Sequence, residues 1–91
     1  MKYTLFYESA DDVRKKAPPH VPAHAARIQE FHSSGSLLMV GTFEDPQDGA
    51  MGVFTTREAA EEFARGDAFV INGVVREWRV LGWNESIAEP R

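Results

Sequence analysis

The chain has 91 residues, room for one domain at the ~150 residues a domain typically takes. Hydrophobic residues make up 43% and charged residues 26%, the balance of a folded domain and not of a disordered tail. Ten basic against 14 acidic side chains leave a formal charge of −4, which argues against a nucleic-acid or anionic-membrane partner, and the lack of cysteine excludes disulfides, thiolate metal sites and cysteine nucleophiles. Residues 2–8 are rich in Tyr, Thr, Leu and Phe and predict a strand with Tyr3, Leu5 and Tyr7 on one face. The polar stretch after it has room for a helical turn, ended by Pro18 and Pro19. Pro22 suits the first turn of a helix running to Ser33 or Ser34. Val21, His24, Ala25, Ile28 and Phe31 recur along it at helical spacing as the expected buried stripe. Gly35 then stands where a left-handed C-cap belongs.

Residues 36–44 predict a second strand that is apolar on both faces, with Leu37, Met39 and Phe43 on one and Leu38 and Val40 on the other. Asp45-Pro46-Gln47-Asp48-Gly49 carries the residues of a chain reversal, and residues 50–55 return as the third strand. Thr55 and Glu58 have the spacing of a capping box. The helix they open sets Ala59, Ala60, Phe63 and Ala64 against Glu61, Glu62 and Arg65, and Gly66 is expected to stop it. Asp67-Ala68-Phe69-Val70 reads as a short connection, Asn72-Gly73 as a turn and residues 74–83 as the last strand. Residues 84–91 lack periodicity and are expected to be loose or packed on a partner.

The order β-α-β-β-α-β predicts one α+β domain over residues 1–83, a ferredoxin-like split βαβ whose four-stranded antiparallel sheet carries both helices on one face. The open face should then be polar. Instead the second strand is apolar on both sides, and Trp78 and Trp83 fall on opposite faces of the last. A second copy packed sheet against sheet covers such a face most simply, so a homodimer with a barrel-like α+β arrangement is expected. Apolar runs such as Leu37-Leu38-Met39-Val40 fall far short of the ~20 residues that span a bilayer. The early Glu8 interrupts any secretory segment. No membrane association and a cytoplasmic location are expected.

Composition leaves few groups for chemistry. His24 lies on an apolar stripe and needs a hydrogen-bond partner there. Asp67 follows the second helix directly. Helices side by side in a split βαβ fold can bring the two together, the carboxylate fixing the tautomer and leaving the other ring nitrogen to move a proton. The spacing alone favours a satisfied core histidine and a loop aspartate over a functional pair. His20 and His24 stand four apart, but His20 precedes the helix and Pro22 lies between them, so no metal site is expected. Tyr3, Tyr7, Met39 and Phe69 are candidates to line a cleft, although aromatics on strands also serve as core. Arg14-Lys15-Lys16 reads as a solvated stretch, and His32 as a solvent-facing side chain in the last helical turn.

At these residues a resemblance emerges. Pro22-Ala23-His24, then Gly35-Ser36-Leu37-Leu38 and Gly41, then Ala64-Arg65-Gly66-Asp67-Ala68-Phe69-Val70 with Gly73 and Val74, together resemble the YCII-related (YciI-like) family over residues 1–83. The resemblance implies a dimeric ferredoxin-like α+β barrel with a cleft in each subunit, centred on a His–Asp pair that corresponds to His24 and Asp67. It implies acid–base chemistry on small cyclic or aromatic molecules, with one branch eliminating chloride from a chlorinated hydroquinone. The chain departs from the family pattern at Val21, where an arginine often stands, and at Ala68, where a proline usually follows the aspartate. The reading is thus a dimer acting as a lyase or isomerase without a cofactor on a small organic ligand, by elimination, isomerisation or lactone rearrangement. His24 and Asp67 are its catalytic candidates, and Tyr7, Met39 and Phe69 its candidates for ligand contact. The rivals are a metabolite-binding or structural dimer and a cofactor-free monooxygenase.

Overall fold

In the computed structural model, which describes residues 1–88, β1 (Lys2–Ser9), β2 (Leu37–Thr42), β3 (Ala50–Phe54) and β4 (Val75–Trp83) form one antiparallel sheet in the order β2-β3-β1-β4. The intervening chain supplies α1 (Val13–Lys16), α2 (Val21–Ser33), α3 (Arg57–Gly66) and α4 (Ala68–Ile71), with 3₁₀ turns at Pro18–His20 and Pro46–Asp48. This is the expected ferredoxin-like α+β topology. Among the described residues no helix is long and apolar enough to cross a membrane.

Local chemistry explains most boundaries. Gly35, at φ 85°, ends α2 in a Schellman motif: its N–H donates to the His32 carbonyl, and the Ser36 N–H reaches back to Phe31. Asp45 turns the β2–β3 connection, its carboxylate accepting from the Gln47 N–H at 3.0 Å. The cap of α3 lies one residue later than expected. Thr56, not Thr55, accepts the Ala59 N–H at 3.1 Å. With alanine at that third helical position no carboxylate can reciprocate, so Glu58 serves only as an acid in the first turn. Gly66 does not stop α3 but completes it, and the break comes at Asp67, whose backbone is extended at φ −73°, ψ 130°. Asp67 caps the next helix in turn, so the expected connection after it is the short helix α4.

The second strand also differs from a plain alternation. Leu37 pairs with Phe54 while Met39 pairs with Val53, so Leu38 is the extra residue of a bulge. A bulge shifts the pleat by one residue. Leu37 is buried on the helix side, Met39 is turned to the open face, and Val40 returns to the helix side. The expected pairing of Leu37 with Met39 on one face is thereby overturned.

Between sheet and helices, Leu5, Tyr7, Phe31, Leu37, Phe54, Ala60, Phe63 and Ala64 form the core. Phe63 sits at its centre, edge-on to Phe31 at 5.2 Å and tilted against Phe54 at 5.4 Å. The α2 stripe is rotated slightly from the expected one. Val21 and Ala25 are exposed, and Arg27 joins His24, Ile28 and Phe31 in facing the rest of the fold. His32 is exposed, but its Nδ1–H also donates to the Leu37 carbonyl at 2.9 Å. The open face of the sheet carries Met39, Leu81 and Trp83, all at least half as exposed as a free side chain or close to it. Past β4, Glu85 pairs with Lys2 at 2.5 Å. The final part of the expected tail, residues 89–91, lies outside the described residues.

Candidate active site

Asp67 is the centre of the polar network. It is wholly buried, yet both carboxylate oxygens accept hydrogen bonds. The Tyr7 hydroxyl donates to Oδ2 at 2.7 Å. His24 Nδ1 meets Oδ1 at 2.8 Å, and the Phe69 N–H donates to the same oxygen at 3.2 Å. The backbone makes this possible: Asp67 ends α3 and caps α4, so its side chain turns inward beneath the start of the short helix. Three donors on one carboxylate compensate for its removal from water.

Arg27 fixes the same corner from the other helix. Its Nε donates to the Phe63 carbonyl at 3.0 Å and its guanidinium to the Glu62 carbonyl at 2.8 Å. A cation at the C-terminus of α3 also suits the helix dipole. Gly66 permits the approach, because a β-carbon there would press into the guanidinium. α2 is thus tied to the last turn of α3, one residue before Asp67. The sequence reading did not single out Arg27, although its position three after His24 and four before Phe31 places it on the inward face.

The Tyr7 phenol is held well above its ordinary pKa, first by burial and then by the hydrogen bond to Asp67 and the charge of that carboxylate; the Arg27 charge opposes the shift. Tyr7 therefore remains a donor. With Tyr7 and Phe69 both donating, an ionised Asp67 requires a proton on His24 Nδ1, which leaves Nε2 as the free ring nitrogen. Among the described residues Nε2 has no protein partner, and no buried side-chain nitrogen or oxygen is left unpaired, so Nε2 reaches accessible space. The ring is also fixed in plane. Phe69 stacks on it with centroids 3.8 Å apart and planes 6° from parallel.

Two adjoining hollows meet at this ring. One, of about 260 Å³, is walled mainly by Leu5, Ile28, Val40, Gly52, Phe54 and Phe63. The other, of about 340 Å³, lies among Ser9, Val13, Arg14, Val21, Phe69 and Val74. Tyr7, His24, Thr42 and Ala50 line both. A cavity of about 150 Å³ holds a benzene ring, so either hollow has room for a small ring compound with substituents.

The structure thus brings His24, Asp67, Tyr7 and Phe69 together. It does not bring Met39, which lies on the opposite face of the sheet beside Phe6, Val53 and Trp83. The bulge at Leu38 is the reason. His20 forms the N-cap of α2 without a side-chain capping bond, and among the described residues no cluster of three potential metal ligands forms.

Comparison with known proteins bears on this geometry. The profile of the YCII-related domain matches residues 1–84. Proteins named YciI from Escherichia coli and Shigella flexneri are each 34% identical over 85 residues, covering 81% of this chain and 87% of theirs. A solved structure of 5-chloro-2-hydroxyhydroquinone dehydrochlorinase from Burkholderia phenoliruptrix, in complex with 2,5-dihydroxybenzoquinone, matches with a TM-score of 0.73. That match covers 94% of this chain and 96% of the other at 16% identity, a likeness of fold.

Proposed function

The chain belongs to the YCII-related family, and from that premise we propose that it is an acid–base enzyme acting on a small cyclic or aromatic compound. His24 Nε2 takes a proton from carbon or oxygen on the ring of the substrate. The Asp67 carboxylate, on the far side of the imidazole, holds it in the required tautomer and stabilises the imidazolium that forms. Returning the proton to a different atom completes an isomerisation or lactone rearrangement; departure of a leaving anion from the adjacent carbon completes an elimination. General acid–base assistance of this kind contributes roughly 10²- to 10⁴-fold. The steps need only side chains of this chain, and Tyr7 and Phe69 serve as lining that orients the ring.

The observation that carries this reading is the 2.8 Å contact between His24 Nδ1 and Asp67 Oδ1, combined with an unpartnered Nε2 at the junction of two apolar hollows. The neighbouring fold that holds 2,5-dihydroxybenzoquinone lends it support in ligand class. The test begins with ring compounds screened for protection against thermal unfolding, where a ligand at 100 times its dissociation constant adds ~2.7 kcal/mol. Compounds that bind are then followed by NMR in D₂O for solvent deuterium entering the ring and for product. His24→Gln is expected to keep the fold and abolish exchange. Exchange or turnover that persists in His24→Gln, or a wild-type chain that binds rings and neither exchanges their protons nor forms product, overturns the enzyme reading and leaves a binding module.

We further propose that the functional unit is a homodimer, its subunits packed through their open sheet faces. Met39, Leu81 and Trp83 are 67%, 49% and 48% exposed on that face, next to Phe6, Met51 and Val53. A second copy of the same apolar face is the simplest complement. Met39 then contributes to subunit contact and not to ligand contact. Sedimentation equilibrium is expected to give twice the chain mass, with Leu81→Lys shifting it to the monomer; a monomeric wild type refutes the arrangement.

A further inference from the structure

The charge inventory of the two hollows is lopsided. The chain carries 14 acids and a net charge of −4, yet among the described residues lining either hollow there is no carboxylate. There is one permanent cation, Arg14, at the wall of the larger hollow with Val21, His24 and Phe69. It reaches this place because Asp12, at φ 59° in the left-handed region, turns the chain into the short helix α1, whose Val13 is buried. Arg14 is also loosely held. Its described ion-pair partner, Asp45, stands 3.6 Å away, too far for a hydrogen bond, and the contacting Asp45 oxygen already accepts from Gln47. Other guanidiniums are engaged: Arg76 by Glu8 and Asp11, Arg27 by two carbonyls. A guanidinium beside apolar walls, with an exposed and weak ion pair to give up, is an anion receptor in waiting.

Resting on the acid–base reading above, we infer that the occupant of this site is a small ring compound bearing a carboxylate, the ring lying in the apolar space beside His24 and the carboxylate on the Arg14 guanidinium. A carboxylate fits better than a phenolate for two reasons. The planar fork of arginine grips two coplanar oxygens at once. At the solvent-exposed mouth, where the Arg14 side chain is 70% exposed, only an acid ionised at neutral pH keeps its charge, and a phenol with a pKa of about 10 does not. Arg14, part of a basic run with the composition of a solvated loop, then acts as a specificity determinant.

Benzoate and its neutral isostere benzamide test this, with the His24 Cε1–H NMR signal reporting occupancy beside the ring. In the wild type benzoate is expected to bind more tightly than benzamide and to weaken as salt is raised. Arg14→Gln is expected to cost benzoate about tenfold in affinity, the factor that a hydrogen bond to a charged group commands, while benzamide changes less than about twofold and the unfolding midpoint stays put. Equal affinity of the two probes, or equal loss of both in Arg14→Gln, overturns the carboxylate inference while leaving a ring-binding site at His24 intact. If neither probe nor hydroquinone perturbs the His24 signal, the ring-binding reading itself falls, and this inference with it.

Discussion

Tyr7→Phe isolates one hydrogen bond at the centre of the site and has a pH signature that packing alone cannot imitate. The substitution keeps the ring in the core and removes the hydroxyl that donates to Asp67 Oδ2 at 2.7 Å. A buried carboxylate oxygen loses its donor, which costs about 2 kcal/mol at neutral pH, within the usual range for an unsatisfied buried group. The wild type, however, carries a phenol whose pKa is raised in the folded state above its ordinary 10.0. For a group raised on folding, the stabilisation is complete below the unfolded pKa and is lost as pH climbs above it, because the unfolded chain releases the proton that the folded chain retains. The wild type therefore loses ~1.4 kcal/mol per pH unit above pH ~10 through this group, and the variant does not. The gap between the two is expected to hold at ~2 kcal/mol up to pH ~10 and to close near pH ~11.5. Urea unfolding followed by tryptophan fluorescence across that range measures it, since every other titrating group is common to both chains. A gap that stays constant to pH ~11.5 refutes the assigned hydrogen bond and the retained proton together.

Two further substitutions probe how the backbone delivers the site. Gly49→Ala places a side chain at φ 108°, where the new β-carbon would press into the Tyr7 carbonyl oxygen; a loss of more than ~3 kcal/mol in denaturant unfolding is expected, and a loss under ~1 kcal/mol would mean that the turn is free to move. Thr56→Ala removes the side-chain cap of α3 at its Ala59 N–H, with an expected cost of about 1 kcal/mol by the same assay.

Some features were legible because they depend on chemistry within a few residues. Gly35 signals the end of α2, Pro22 its first turn, and Asp45-Pro46 the reversal before β3, since each acts on the backbone beside it. Others needed the partner strand or helix. The cap of α3 fell to Thr56 over the adjacent Thr55 because the Thr55 N–H is still held across the β2–β3 pair, donating to the Ser36 carbonyl at 3.0 Å, so the chain turns into the helix one residue later. The bulge at Leu38, which sends Met39 away from the cleft, is a property of the β2–β3 ladder, and no pattern of apolar residues encodes it.

The chain alone determined the α+β order of elements, the lack of cysteine chemistry, and the pair His24 and Asp67 as candidates, because propensity, turn residues and composition act locally. Only the folded molecule decided that Tyr7 shares the same carboxylate, that Phe69 lies flat on the imidazole, that Arg27 ties the two helices at that corner, and that Arg14 borders the hollow. Those relations join residues as many as 60 positions apart. Their cause is the packing of α2, α3 and α4 over one sheet, where burial forces each polar group to find its partner in space and not along the chain.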